Sequence, residues 1–233
     1  MREIVLDTET TGLDPVQGHR LVEVGCVELL NRIPTGATFH VYLNPERDMP
    51  AEAFAIHGLS SEFLRDQKRF SEIADEFLVF IADAPLVIHN AGFDHGFLNA
   101  ELKRVERALI ARERLVDTLM LARRKHPAGP NRLDDLCARY GIDSSRRTKH
   151  GALLDAEILA EVYVELIGAR QAQLGLAETV ERRGAAGDGA VTQRVRDVPL
   201  LPRVSEADRA AHREFIESLG ANALWRDYLA GEA

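Results

Sequence analysis

Asp7 and Glu9 stand two positions apart at the end of the apolar run "EIVLDTETTG", Asp94 stands in "HNAGFDHGF", and His150 and Asp155 stand in "HGALLDAEILAEV". Side chains alternate faces along a strand, so Val5, Asp7 and Glu9 point one way and Ile4, Leu6 and Thr8 the other. Two carboxylates side by side at the end of a core strand repel each other and lose water, which is unfavourable unless a cation neutralises them. On a helix, Asp94 shares a face with Phe97, Leu98 and Leu102. Asp155 likewise shares one with Ile158, Leu159 and Val162, while Glu157, Glu161 and Glu165 form the wet side. An acid on an apolar stripe needs a partner. Taken singly, these residues have plainer readings: a solvated strand end for Asp7 and Glu9, a surface loop for His150. Taken together, the four carboxylates form a hard-oxygen cage, and an all-carboxylate set selects Mg²⁺ or Mn²⁺ over zinc. Two such ions about 4 Å apart clamp the attacking and leaving oxygens of an in-line phosphoryl displacement. His150, in the loop five residues before Asp155, has a reference pKa of about 6.5 and can take a proton from water near neutral pH.

The elements that must position these groups are legible in the hydrophobic pattern. "REIVLDT", "LVEVGCVELL" and "ATFHVYL" read as three strands with short links, an antiparallel meander. Helical spacing follows in "AEAFAIHG", "SEFLRD" and "SEIADEFLVFIAD", the last with Ser71 as its cap. "PLVIH" is a short strand, "GFDHGFLNAELKRVERAL" a helix, and "RLVDT" a fifth strand. Helices are expected over 118–126 and 132–140, with Asn131 capping the latter, and over 152–172. This order predicts an α/β domain built on a mixed five-stranded sheet flanked by helices. "ETVERRGAAGDGAVTQRVRDV" is rich in Gly, Ala and charge and reads as a flexible linker, after which "SEADRAAHREFIESL" and "ANALWRDYL" regain helical spacing. The expected division is therefore 1–175, a linker over 176–203 and a short helical tail over 204–233.

Composition narrows the function. The chain has 233 residues, 45% hydrophobic, and a net charge of -8, which argues against a protein that coats nucleic acid by releasing counterions. The average conceals an asymmetry: Arg112 to Lys149 holds ten Lys or Arg against five acids, leaving +5 there and -13 elsewhere. A solvated basic surface is the plain reading of that stretch, and a phosphate-facing one the alternative. Cys26 and Cys137 stand far apart without a Cys/His cluster, so neither a disulfide framework nor structural zinc is expected. Glu3, Asp7 and Glu9 interrupt the start where a signal peptide has its apolar core, and no apolar run approaches the roughly 20 residues of a membrane span. A cytoplasmic setting is expected.

"DTETTG", "HNAGFD" and "HGALLDA" resemble, in order and spacing, the three exonuclease motifs of the DEDD superfamily in its histidine-containing (DEDDh) branch. The resemblance implies a ribonuclease H-like fold and 3′ to 5′ hydrolysis of nucleic acid to 5′-monophosphates. It also implies two divalent ions on Asp7, Glu9, Asp94 and Asp155, with His150 as general base. Within that branch, "PAEAFAIHGLSSEFL" is similar to a segment of the proofreading subunits of bacterial DNA polymerase III. There Glu52 and His57 match positions that contact the terminal nucleotide, and Ile56, His89 and Phe93 match residues lining the same pocket. Thr8, Thr10, Thr11 and Gly12 offer backbone groups near the sugar, and Asp7, Glu9 and Asp155 also face the substrate. Without the resemblance, Ile56 and Phe93 read as core packing and His57 as a helix-end histidine.

The same resemblance extends to the tail. "QAQLGL" has the Q-x-x-L-x-L shape of a sliding-clamp-binding peptide, with Gln171, Leu174 and Leu176 as its anchors. The linker and tail look like the segment that tethers such subunits to the polymerase alpha subunit, with Phe215, Ile216, Trp225 and Tyr228 as apolar contacts. A small theta-like subunit is a further implied partner. A tethered nuclease receives DNA at high effective concentration, so an acidic chain is tolerable. The rivals are a free-standing DEDDh exonuclease trimming single-stranded DNA or small RNA, and a catalytically dead scaffold, against which the intact acids and histidine argue.

Overall fold

The computed structural model describes residues 1–145, 147, 149–168 and 204–220. The chain divides into two units, Met1–Leu174 and Gly175–Ala233. In the first, strands β1 (Arg2–Thr10), β2 (Leu21–Leu30) and β3 (Ile33–Tyr42) form the antiparallel meander. Strands β4 (Leu86–Ile88) and β5 (Leu115–Asp117) add to the other side of β1 in parallel, giving the order β3-β2-β1-β4-β5. This is the mixed five-stranded sheet the sequence predicts. Between β3 and β4 come α1 (Ala51–His57), α2 (Ser61–Arg65) and α3 (Phe70–Ile81); α4 (Ala91–Arg104) follows β4. Helices α5 (Thr118–Lys125), α6 (Leu133–Tyr140) and α7 (Ala152–Leu166) complete the unit, and α8 (Glu206–Ser218) belongs to the second.

Alternation along β1 divides the core in two. Ile4 and Leu6 pack with Ile73 and Phe77 of α3 and Phe97, Leu98 and Leu102 of α4. Val5 packs on the opposite face with Val27, Val87 and Ala156, Leu159 and Tyr163 of α7. Because burying one such side chain contributes about 1.5–3 kcal/mol, the acids at the end of β1 ride on a strand whose preceding residues are firmly fixed. The loop after β1 is held from α4: Arg20 donates to both oxygens of buried Glu101, at 2.6 and 3.0 Å, and its backbone N–H donates to Thr11 Oγ1 at 3.0 Å.

Several boundaries differ from the sequence expectation. Helix α3 starts at Phe70, which is buried, with Arg69 rather than Ser71 as the cap residue; the Arg69 N–H donates to Glu72 at 2.8 Å. Arg132, not Asn131, precedes α6, and its N–H donates to Asp135 at 3.0 Å, while Asn131 turns back to donate to the His126 and Gly129 carbonyls. Helix α4 stops at Arg104, not near Leu109, because Glu106 is left-handed and the Arg107 N–H closes onto the Leu102 carbonyl at 2.9 Å. Helix α7 stops at Leu166; 169–172 lie outside the described residues.

Candidate active site

Strands β1, β4 and β5 are parallel, so their carboxyl ends lie on one edge of the sheet. The chain runs outward from β1 through β2 to β3, then returns to place β4 on the other side of β1. That reversal is a topological switch point, where ligands bind in open α/β sheets. Asp7 and Glu9 end β1 there, Asp94 sits in the first turn of α4 directly after β4, and Asp155 sits in the first turn of α7. Gly25 lies opposite Asp7 on β2, and a Cβ on it would lie 2.2 Å from the Leu153 nitrogen and 2.3 Å from the Ala152 carbonyl carbon. The missing side chain lets the start of α7 rest on the sheet, which carries Asp155 to the end of β1. The sequence reading missed Gly25, although a glycine inside "LVEVGCVELL" is the usual mark of close backbone approach.

One ligand atom each from Glu9, His150 and Asp155 lies within 4.8 Å of the other two. Asp94 stands outside that trio and accepts from Thr8 Oγ1 at 2.7 Å. Burial, followed by the charges of Asp94, Glu9 and Asp155, raises the Asp7 carboxyl well above the usual range. Burial pushes Glu9 up to about 8, helped first by Glu23, its cross-strand neighbour, and then by Asp155 and Asp94. Asp94 rises to about 7, burial outweighing the bond from Thr8. Burial pulls Asp155 the same way, but bonds from His150 and Arg147 and the Arg147 charge win, and its carboxyl is lowered. Arg147 forks Asp155 at 2.5 and 2.7 Å, lies 2.7 Å from His150 Nδ1 and also pairs with Asp134. The sequence reading counted Arg147 only within a basic stretch. Crowded carboxylates whose charged forms are disfavoured by burial and by one another fit a divalent cation, and their all-oxygen chemistry fits a hard one.

A cavity of about 550 Å³ opens beside the end of β1. Glu9, Thr10, Glu52, Ile56, His57 and Phe93 all line it, as do Thr8, Thr11 and Gly12; Asp7 and Asp155 are not among its lining residues. Ile56 is 52% exposed, so it is not core packing. His57 is buried; its Nδ1 accepts from the Leu59 N–H at 3.0 Å and its Nε2 has no hydrogen-bond partner among the described residues. His89 is not in this cavity. It follows β4 and its Nδ1 pairs with Thr118 Oγ1 at 2.9 Å, which turns the ring towards β5 and into a second cavity. Phe215 is exposed on α8 and Ile216 is buried. Gln171, Leu174, Leu176, Trp225 and Tyr228 lie outside the described residues.

Fold and site together define a nuclease-family protein: residues 4–163 match the model of the RNase_T family, described as Exonuclease, and the chain belongs to that family. It is 47% identical over 222 residues to the DNA polymerase III subunit epsilon of Rickettsia felis, covering 94% of this chain and 97% of that one. It is 44% identical over 237 residues to the subunit of the same name from Escherichia coli, covering 97% of each. Within the exonuclease family the chain therefore belongs with the DNA polymerase III epsilon subunits. Its fold is shared with the nuclease domain of 3′hExo, a DEDDh family member bound to rAMP (TM-score 0.62, 16% identity, 72% of this chain and 92% of that one). It is shared also with Exonuclease X in complex with 5′ overhanging duplex DNA (TM-score 0.55, 21% identity, 71% and 91%).

Proposed function

We propose that the chain is the proofreading 3′–5′ exonuclease of a replicative DNA polymerase III, removing mispaired 3′-terminal nucleotides as 5′-monophosphates. The observation that carries this is the convergence of Glu9, His150 and Asp155 at the β1/β4 switch point, with Asp7 and Asp94 alongside and a nucleotide-sized cavity next to them. DEDDh exonucleases use divalent metals, and Asp7, Glu9, Asp94 and Asp155 would hold two, Mg²⁺ or Mn²⁺. When bound, these ions supply charge neutralisation of the phosphate and acidify a water. Thr10, Glu52, Ile56, His57 and Phe93 position the terminal nucleotide. The His57 Nδ1 is taken by a backbone N–H, so its Nε2 carries the proton and serves as a donor. His150 Nδ1 faces Asp155 at 3.3 Å, and it takes the proton of the attacking water once Arg147 has released it.

The first unit carries the chemistry, and the tail, through Phe215, Trp225 and Tyr228, binds the polymerase alpha subunit in the cytoplasm. Gln171, Leu174 and Leu176 bind the sliding clamp, and a theta-like subunit completes the assembly. Near-full-length likeness to epsilon subunits favours this over a free-standing nuclease. The test is the double variant Asp7→Ala/Glu9→Ala, assayed for Mg²⁺-dependent release of mononucleotides from a mispaired primer and for capture of the alpha subunit. Hydrolysis should vanish and capture should persist; substantial residual hydrolysis means the site is elsewhere.

A further inference from the structure

The second cavity, about 490 Å³, opens at the carboxyl ends of β4 and β5, on the same sheet edge as the site above. His89 and Asn90 follow β4 into it, Arg123 reaches it from α5, and Asn131 and Arg132 close it from the loop before α6. Five of the ten cations of the basic stretch are committed elsewhere. Arg114 donates to the Ala84 and Ile81 carbonyls, Lys125 to the Glu165 and Leu166 carbonyls, Arg139 to Pro130 and Asn131, and Arg147 to Asp155; Lys149 lies over the Phe54 ring. Arg123 and Arg132 form no ion pair among the described residues, and both line this one cavity. The wall that holds Arg132 is preformed. Asn131 donates to the His126 and Gly129 carbonyls at 3.2 and 2.9 Å, and Arg139 braces it from below through Pro130 and the Asn131 side chain.

A concave site with two uncommitted guanidiniums, on a chain whose net charge is -8, is suited to an anion that enters in a fixed position. The first cavity lies at the end of β1, and β1 neighbours β4, so a strand whose last nucleotide sits there can run along the sheet edge past Asn90. We propose that Arg123 and Arg132 grip the phosphodiester backbone of the substrate strand one or more nucleotides 5′ of the scissile bond. The plain reading of the basic stretch as a solvated surface then holds for Arg112 and Arg124, and the phosphate-facing one for this pair. This rests on the exonuclease reading and adds to it the groups that hold the strand behind the cut.

The test uses the full-length protein and two substrates: a single-stranded dT12, and the p-nitrophenyl ester of thymidine 5′-phosphate, which fills the terminal site alone. For Arg123→Gln/Arg132→Gln, KM on dT12 should rise about tenfold with kcat kept, while the small ester is hydrolysed as by wild type. The slope of log kcat/KM on dT12 against log salt should become shallower by about 1.4, the loss of two contacts to a single strand. Restoring charge with Lys at both positions should return most of the KM. A charge-matched control, Lys103→Gln/Arg112→Gln, changes two cations away from the cavity and should leave KM within twofold. The proposal is overturned if the cavity variant also stays within twofold, if the control matches its loss, or if the small ester suffers equally. A wild-type protein that hydrolyses neither substrate overturns the exonuclease reading instead.

Discussion

Glu9 and Asp155 belong to one cluster yet titrate in opposite directions, Glu9 up to about 8 and Asp155 below its ordinary value. Both are buried. The difference is in what each element brings with it. Burial is the largest cause of the rise at Glu9, and β2 then sets Glu23 directly opposite it, while β1 itself supplies no cation to the site. The α7 side is preceded by Arg147 and His150, which hold Asp155 ionised through hydrogen bonds. Burial alone does not fix the charge of a site; the neighbours that the topology delivers decide it. One wall carries its own counter-ion, and the other must obtain one from solution.

Breaking the placement of the two walls should have the largest effect. Gly25→Ala sets a Cβ into the first-turn backbone of α7, which must move away from β1 and take Asp155 with it. Displacing a reacting group by about 1 Å costs about 100-fold. We expect a loss of that size in kcat, with Gly25→Ala still folded by circular dichroism; wild-type kcat would show that α7 does not depend on this contact.

Removing the counter-ion sharpens the comparison. In EDTA, Arg147→Ala leaves buried Asp155 with only His150, and unfolding should become easier by about 2 kcal/mol, less than for a fully buried pair because the Asp134 side is wet. Millimolar Mn²⁺ should restore most of that loss, since a divalent ion replaces the guanidinium charge. Urea denaturation with and without metal reads both effects.

Much of this site is legible in the sequence, for a physical reason. Acids interrupt an apolar pattern, and Asp7, Asp94 and Asp155 do so conspicuously. Gly25 leaves a weaker trace, a gap in a strand. Arg147 leaves none, because an arginine that reaches into a site and one that waves in solvent look alike within a basic stretch. His89 could be grouped with Ile56 and Phe93 by motif, but its ring follows Thr118, and that pairing depends on β5 lying beside β4. The three-strand meander and the mixed sheet came from alternation and short links; the starts of α3 and α6 did not, since backbone N–H bonds to Glu72 and Asp135 outweighed the expected Ser71 and Asn131 caps.

The central claim is that the buried, crowded acids of the β1 wall take up a divalent cation by giving up a proton, and it can be read by calorimetric titration of Mn²⁺ into the metal-free protein in buffers of different ionisation enthalpy. At pH 7, below the value of about 8 for Glu9, the free site keeps the Glu9 proton, and binding must expel it. Two Mn²⁺ should bind with release of at least one proton at pH 7, and the release should fall as pH rises above 9 and Glu9 ionises unaided. Glu9→Gln should bind more weakly and release fewer. Binding at pH 7 with no proton released, or no binding at all, would contradict the account.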